Sequence, residues 1–238
     1  MKTAQAKAEK KTGDTLTSAT FQFFRELSRN NSKKWMDANR QRYQAHVVAP
    51  VRALLDALAP AVLRIDRGYV ITGRTNDNFS RINRDIRFAK DKTPYYTRLY
   101  VKFPNSHSGD GAELYVGVSP DVVTAGFRIY GGSDFKKSPL AKMGQVRALA
   151  NPKWVAKQKA RLGKKYESYW HSMQKGEWIK TPGWPGSDEE WKQVRAWIVR
   201  RAMKPAAATK RGFVKGVEKI FKDVAPLASF CSSPKWKN

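Results

Sequence analysis

Between Phe79 and Tyr96 the chain interleaves five cations, Arg81, Arg84, Arg87, Lys90 and Lys92, with two carboxylates, Asp85 and Asp91. Ile82, Ile86 and Phe88 fall among them, so the charges cannot all turn to water while the apolar side chains enter a core. Some charge has to sit at the core's edge. Arg suits that position because its planar, permanently charged fork takes a carboxylate or a phosphate through two parallel hydrogen bonds. Anion binding is therefore the first chemistry this stretch implies, with Tyr95 and Tyr96 available to stack on a base or a sugar. A second chemistry uses Asp85 or Asp91 as a general base or metal ligand, the arginines stabilising charge on a phosphoryl or carboxyl group. A third reading makes the same residues a structural ion-pair network, since buried pairs and active sites share their residue types.

The elements that must position these side chains follow from periodicity. Read with a period of two, Phe79 to Phe88 is a strand with Ser80, Ile82, Arg84, Ile86 and Phe88 on one face and Arg81, Asn83, Asp85 and Arg87 on the other. Arg84 then faces inward among apolar neighbours and requires a fixed carboxylate partner. Three further strands are expected, Arg98 to Phe103, Ala112 to Ser119 and Val122 to Tyr130, the last two joined as an antiparallel hairpin by a tight turn at Pro120-Asp121.

Upstream, Thr17 or Ser18 can cap a helix carrying Phe21, Phe24 and Leu27, and Ser32 a second one carrying Trp35, Met36 and Tyr43. Pro50 is placed to stop or bend that second helix. From Val47 the stripe Val51, Leu54, Leu55, Leu58 and Val62 predicts a long amphipathic helix. Downstream the pattern reads as mainly helical: Ser138-Pro139 to Leu149, Asn151-Pro152 to Leu162, a helix capped at Ser187 carrying Trp191, Val194, Trp197 and Ile198, and a closing helix from Phe213 to Phe230. A rigid turn around Trp184 presents its indole. Strands set between helical blocks, without βα alternation, predict an α+β fold: an antiparallel sheet of about four or more strands packed by N- and C-terminal helices. One domain is expected over 20–238, after a basic tail, 1–19, in which Lys2 to Gly13 is disordered for lack of core-forming residues.

Composition narrows the partners. Forty-six Lys and Arg against 20 Asp and Glu give a net charge of +26 in 238 residues, a self-repulsion most easily offset by a polyanion. The run Lys153, Lys157, Lys159, Arg161, Lys164 and Lys165, without an acid among them, strengthens that expectation. A nucleic acid or another phosphate-bearing ligand is the expected partner, and six to ten phosphate contacts would make binding strongly salt-dependent. Cys231 is the only cysteine, which excludes an intramolecular disulfide and argues against a Cys-based zinc site. No apolar run approaches the roughly 18 residues that span a bilayer, so no membrane is expected and the protein reads as cytoplasmic. No cofactor is indicated. Gly126, Gly131 and Gly132 lack the spacing of a dinucleotide fingerprint, and His107 stands without triad partners.

Phe23-Phe24-Arg25-Glu26-Leu27, Asn30-Asn31, Trp35, Ala38-Asn39-Arg40 and Tyr43, followed by Arg81 through Tyr95, resemble in order and spacing the family catalogued as domain of unknown function 2461. The likeness extends through Ser119-Pro120 and Gly126 and more weakly through Trp184 to the closing helices. That resemblance implies no activity, cofactor or catalytic residue, so function has to be argued from the residues themselves.

Overall fold

The computed structural model describes residues 16–106, 112–130 and 145–232. The expected disordered tail, His107 and the helix start at Ser138-Pro139 lie outside these residues. Leu16 is fully buried, so the core begins three residues before the boundary placed at 19. Helix α1 (Ser18–Arg29) buries Phe21, Phe23, Phe24 and Leu27. Ser32 caps α2 (Lys33–Ala38) by accepting the Trp35 N–H. Beyond α3 (Arg40–Tyr43) the chain does not stop at Pro50 but continues as helix. A π-turn over Gln44–Val48, in which the Ala49 N–H donates to the Gln44 carbonyl, carries it into α4 (Ala49–Ile65). One widened turn accommodates a proline that has no N–H to return to the helix. The helical stretch Arg40–Ile65 is long and apolar enough by composition to cross a bilayer. Its stripe of Val47, Val51, Leu54, Leu55, Leu58 and Val62 is buried in the core instead.

Six antiparallel strands form one sheet in the order β1-β2-β3-β6-β4-β5. β1 (Leu99–Pro104), β2 (Glu113–Val118) and β3 (Val123–Tyr130) follow the expected meander, with Val118 opposite Val123 at the hairpin. Three strands in the C-terminal half were not expected: β4 (Glu167–Gln174), β5 (Glu177–Pro182) and β6 (Ala196–Met203). Helices α5 (Gln145–Ala150) and α6 (Pro152–Leu162) precede them. The helix capped at Ser187, α7 (Asp188–Gln193), ends before Val194, so Trp197 and Ile198 lie on β6 and point to opposite faces of the sheet. A short α8 (Pro205–Ala208) leads to α9 (Phe213–Ser232).

One face of the sheet carries the main core. Leu99, Val101, Phe103, Leu114, Val116, Phe127, Ile129, Trp197 and Val199 share it with the buried faces of α1, α4 and α9. Phe103 meets Phe221 of α9 edge-on at 5.5 Å, and Trp154 of α6 stacks on Phe230 at 4.2 Å. Trp184 is half-buried, its ring packed on the fully buried Trp197 at 4.8 Å. Cys231 is buried and free, and burial pushes its thiol up to about 12.

Candidate functional site

The segment expected as a strand over 79–88 is not one. Its bridges are isolated, Phe79 to Thr75 and to Val101 and Asn83 to Tyr95, and side chains hold much of the backbone around them. Asn78, fully buried, is the main agent. Its Oδ1 accepts the N–H groups of Thr72 and Gly73, and its Nδ2 donates to the carbonyls of Val70 and Lys102. The Lys102 N–H donates to the Asn78 carbonyl and the Ser80 N–H to that of Tyr100, which ties residues 78–80 to the outer edge of β1. The chain then leaves the sheet and returns on itself. The Arg84 N–H donates to the Pro94 carbonyl and the Tyr96 N–H to that of Ile82, closing a compact surface loop over 84–94.

Most of the charged residues in this stretch hold that loop. Arg84 turns inward as expected, its side chain 19% exposed, and its Nη1 donates to Asp91 at 2.5 Å, to the Thr93 carbonyl at 3.0 Å and to the Thr93 hydroxyl. Asp91 also accepts the Thr93 N–H, and these bonds, the Thr93 N–H foremost and Arg84 next, hold its carboxyl down at about 2. Arg87 forks onto Asp85 through Nε and Nη2 at 3.0 and 2.7 Å, fully in solvent, and the Asp85 carboxyl is lowered by that bond. Lys92 donates to the carbonyls of Ile86 and Arg87. Phe88 stands at the loop's tip, 94% exposed. Tyr95 is buried at 8% exposure, its backbone held by both ends of the Asn31 amide. It is a core ring, not a stacking surface. Lys90 is exposed and lines no cavity described here.

What remains is a crevice of about 490 Å³ between this segment and β1, lined by Asn76, Ser80, Arg81, Asn83, Asp85, Tyr96, Arg98, Tyr100 and Lys102. Arg81 and Arg98 have no carboxylate partner among the described residues. The Arg98 guanidinium lies over the Tyr96 and Tyr100 rings at 5.8 and 5.9 Å. Lys102 donates to the Asn76 carbonyl at 2.6 Å and keeps its charge uncompensated. Asp85 lines the same space, neutralised by Arg87. A second cavity of about 270 Å³ behind Tyr96 and Arg98 is lined by Arg84, Asp91 and Thr93. The stretch thus divides: Arg84, Arg87 and Lys92 build the loop, and Arg81 alone of the five cations joins the crevice. Arg98 and Lys102, its partners there, were not singled out by the sequence. Their position on β1, at the alternate outward places of Tyr100 and Lys102 or just before the strand, was the available signal.

Asp85→Asn tests the division. Ion pairs this exposed contribute little to stability, so the Tm is expected to stay within about 2 °C by thermal unfolding. A fall well beyond that would make Asp85 structural.

Among the described residues no group of three or more His, Cys, Asp or Glu side chains is placed to hold a metal ion. The lysines of α6 belong to the helical layer and none of them lines the crevice. A family model described as a conserved hypothetical protein (DUF2461) matches residues 19–230. No curated protein matches the chain.

Proposed function

We propose, for a chain that belongs to the DUF2461 family of conserved hypothetical proteins, that it binds a phosphate-bearing ligand, nucleic acid foremost, in the crevice along β1. The observation that carries this reading is the pair Arg81 and Arg98, which face one cavity and bond to no carboxylate among the described residues, the one carboxylate lining that cavity, Asp85, being paired with Arg87 and the neighbouring cations being held within the loop. Two arginines kept uncompensated at a solvent-open crevice repel each other, and an anion relieves that repulsion. Lys102 adds a third charge, Asn76, Ser80 and Asn83 offer neutral hydrogen-bonding groups, and Tyr96 and Tyr100 supply ring faces. Catalysis by Asp85 or Asp91 finds no support in the geometry, since each carboxylate is bonded inside the loop. The reading places the protein in the cytoplasm, where polyphosphorylated ligands and a free thiol such as Cys231 both belong.

Three crevice cations set a shallower salt dependence than the net charge of +26 implies. With a slope of about 0.7–0.9 per phosphate neutralised, affinity is expected to fall roughly 20- to 40-fold between about 50 and 200 mM salt. Titration of a labelled oligonucleotide and of polyphosphate at several salt concentrations measures it. Arg81→Ala/Arg98→Ala is expected to weaken both ligands at least about tenfold and to flatten the slope, whereas Lys157→Glu/Lys164→Glu on α6 leaves the slope nearly unchanged. Failure of both ligands to bind at about 50 mM salt overturns the reading.

A further inference from the structure

The sheet face turned away from the helices carries a second, smaller apolar cluster of Tyr115, Ala196 and Ile198, with Tyr100 and Tyr169 against it. No helix contributes to that cluster. The strand register places Tyr100, Tyr115, Arg128, Ile198, Tyr169 and Lys180 on this face. Tyr115 and Ile198 are buried beneath their neighbours, so the rings open to a ligand are those around them, the half-buried Tyr100, His171 and Tyr169 and the exposed Tyr130 and Trp178. Tyr100 meets Tyr115 at 5.8 Å, and the Arg128 guanidinium lies over the Tyr100, Tyr115 and Tyr130 rings at 4.4, 4.8 and 5.7 Å. Tyr130 meets Trp178 at 6.5 Å, Trp178 meets His171 at 5.9 Å, and His171 meets Tyr169 at 5.5 Å. Ala196, the small β6 residue opposite both Tyr130 and His171, leaves room for the ring of Tyr130 on β3 to reach that of Trp178 on β5 over β6 and β4.

The charge on this face is arranged for a polyanion. Its acids, Glu113 and Glu167, are each bonded to an arginine of the same face, Arg128 and Arg200. Lys180, whose ammonium lies 4.1 Å from the Tyr169 ring centroid, and Lys102 have no carboxylate partner among the described residues. Tyr130 and Trp178 remain 41% and 44% exposed. Tyr100 and Lys102 also line the β1 crevice, so the open rings begin where the phosphate site lies. At the far edge a cavity of about 360 Å³ is lined by Tyr169, Lys180 and Arg200.

We infer that this face is a stacking platform for single-stranded nucleic acid, entered from the β1 crevice and running toward β5. The inference rests on the crevice reading and names its ligand class. Bases of a single strand stack on rings irrespective of sequence while cations along the path meet the phosphates. Paired bases in a duplex cannot present their faces to the sheet. Six strands at about 4.8 Å spacing give a path of roughly 24 Å, enough for about four nucleotides, the lower end of the site sizes such surfaces use.

The test uses the whole chain with three probes of similar total charge: a labelled oligothymidylate of about twelve nucleotides, a hairpin duplex with the same total number of nucleotides, and polyphosphate of matching length. The platform requires the single strand to bind more tightly than the other two and to quench the tryptophan fluorescence by an amount that Trp178→Ala removes. Tyr130→Ala/Trp178→Ala, at the two exposed rings, is expected to weaken the single strand at least roughly 25-fold and to leave polyphosphate affinity and the melting temperature near those of the parent. Single strand and polyphosphate binding alike, with the double variant changing neither, overturns the platform and leaves the crevice reading standing. Absence of binding by all three probes overturns both.

Discussion

Glu113→Gln is expected to lower the Tm by about 6–20 °C. The side chains of Glu113 and Arg128 are 11% and 13% exposed, and the carboxylate meets the guanidinium at 2.5 Å. Burial, the largest single effect, pulls the Arg128 proton affinity down, and the Glu113 charge and hydrogen bond together with the Tyr100 and Tyr115 hydroxyls more than offset it. Neutralising Glu113 leaves a buried guanidinium against three tyrosine rings without its counter-charge. Breaking such a pair costs about 3–5 kcal/mol, and a chain of this length loses about 2–4 °C of Tm per kcal/mol. Replacing both partners, as in Glu113→Gln/Arg128→Met, removes the stranded charge and is expected to recover at least half of the loss. Thermal unfolding of the parent, the single and the double variants measures both effects. A single variant within about 2 °C of the parent would mean that water reaches the pair.

Gly126→Ala is expected to be more damaging still. A Cβ at Gly126 would lie 2.2 Å from the Val199 carbonyl oxygen and 2.6 Å from the Arg200 Cα. Both are backbone atoms of β6, so no rotamer change relieves the contact, and the central β3–β6 pair has to separate. Its loss is expected to exceed about 4 kcal/mol and to appear as a collapse of soluble yield. Gly117→Ala is the control. Its Cβ would meet the Thr124 hydroxyl at 2.7 Å and the Tyr100 ring at 2.8 Å, side chains that can move aside, so a cost of about 1–3 kcal/mol is expected. Soluble expression and Tm of the two variants side by side decide it; equal tolerance of both would show that the two strands yield easily.

Parts of the fold were legible because local and tertiary preferences agree. The β2–β3 hairpin has alternating apolar residues and a turn at Pro120-Asp121, across which the Ser119 N–H donates to the Val122 carbonyl. β5 gave no such signal, for nearly all of its residues are exposed on both faces. The β4–β5 turn places Lys175 and Gly176 at φ of 50° and 83°, a twist that matches a two-residue hairpin, but Lys is not a residue that announces it. Ala196 to Val199 is a short apolar run, and such a run fits a helix or a buried strand equally well. At the site, alternation across 79–88 suggested a strand because it cannot reveal that Asn78 takes the neighbouring amides and carbonyls. The inward turn of Arg84 was legible, since a charge among apolar neighbours needs a partner. Arg98 and Lys102 were not, because cations at and just before a strand look like any solvated face until residues 78–80 are docked beside them.

The loop closed over 84–94 separates its tip from its base. Arg84, Asp91, Thr93 and Lys92 fasten the base, and the two backbone bonds between 82–84 and 94–96 fix the distance between its ends. Phe88 at the tip contributes nothing to the core. Chain added between closed ends is inexpensive, about 0.6 kcal/mol for each doubling of loop length. The tip is therefore a position where a reporter peptide spliced after Phe88 can be carried by an intact domain without disturbing the sheet.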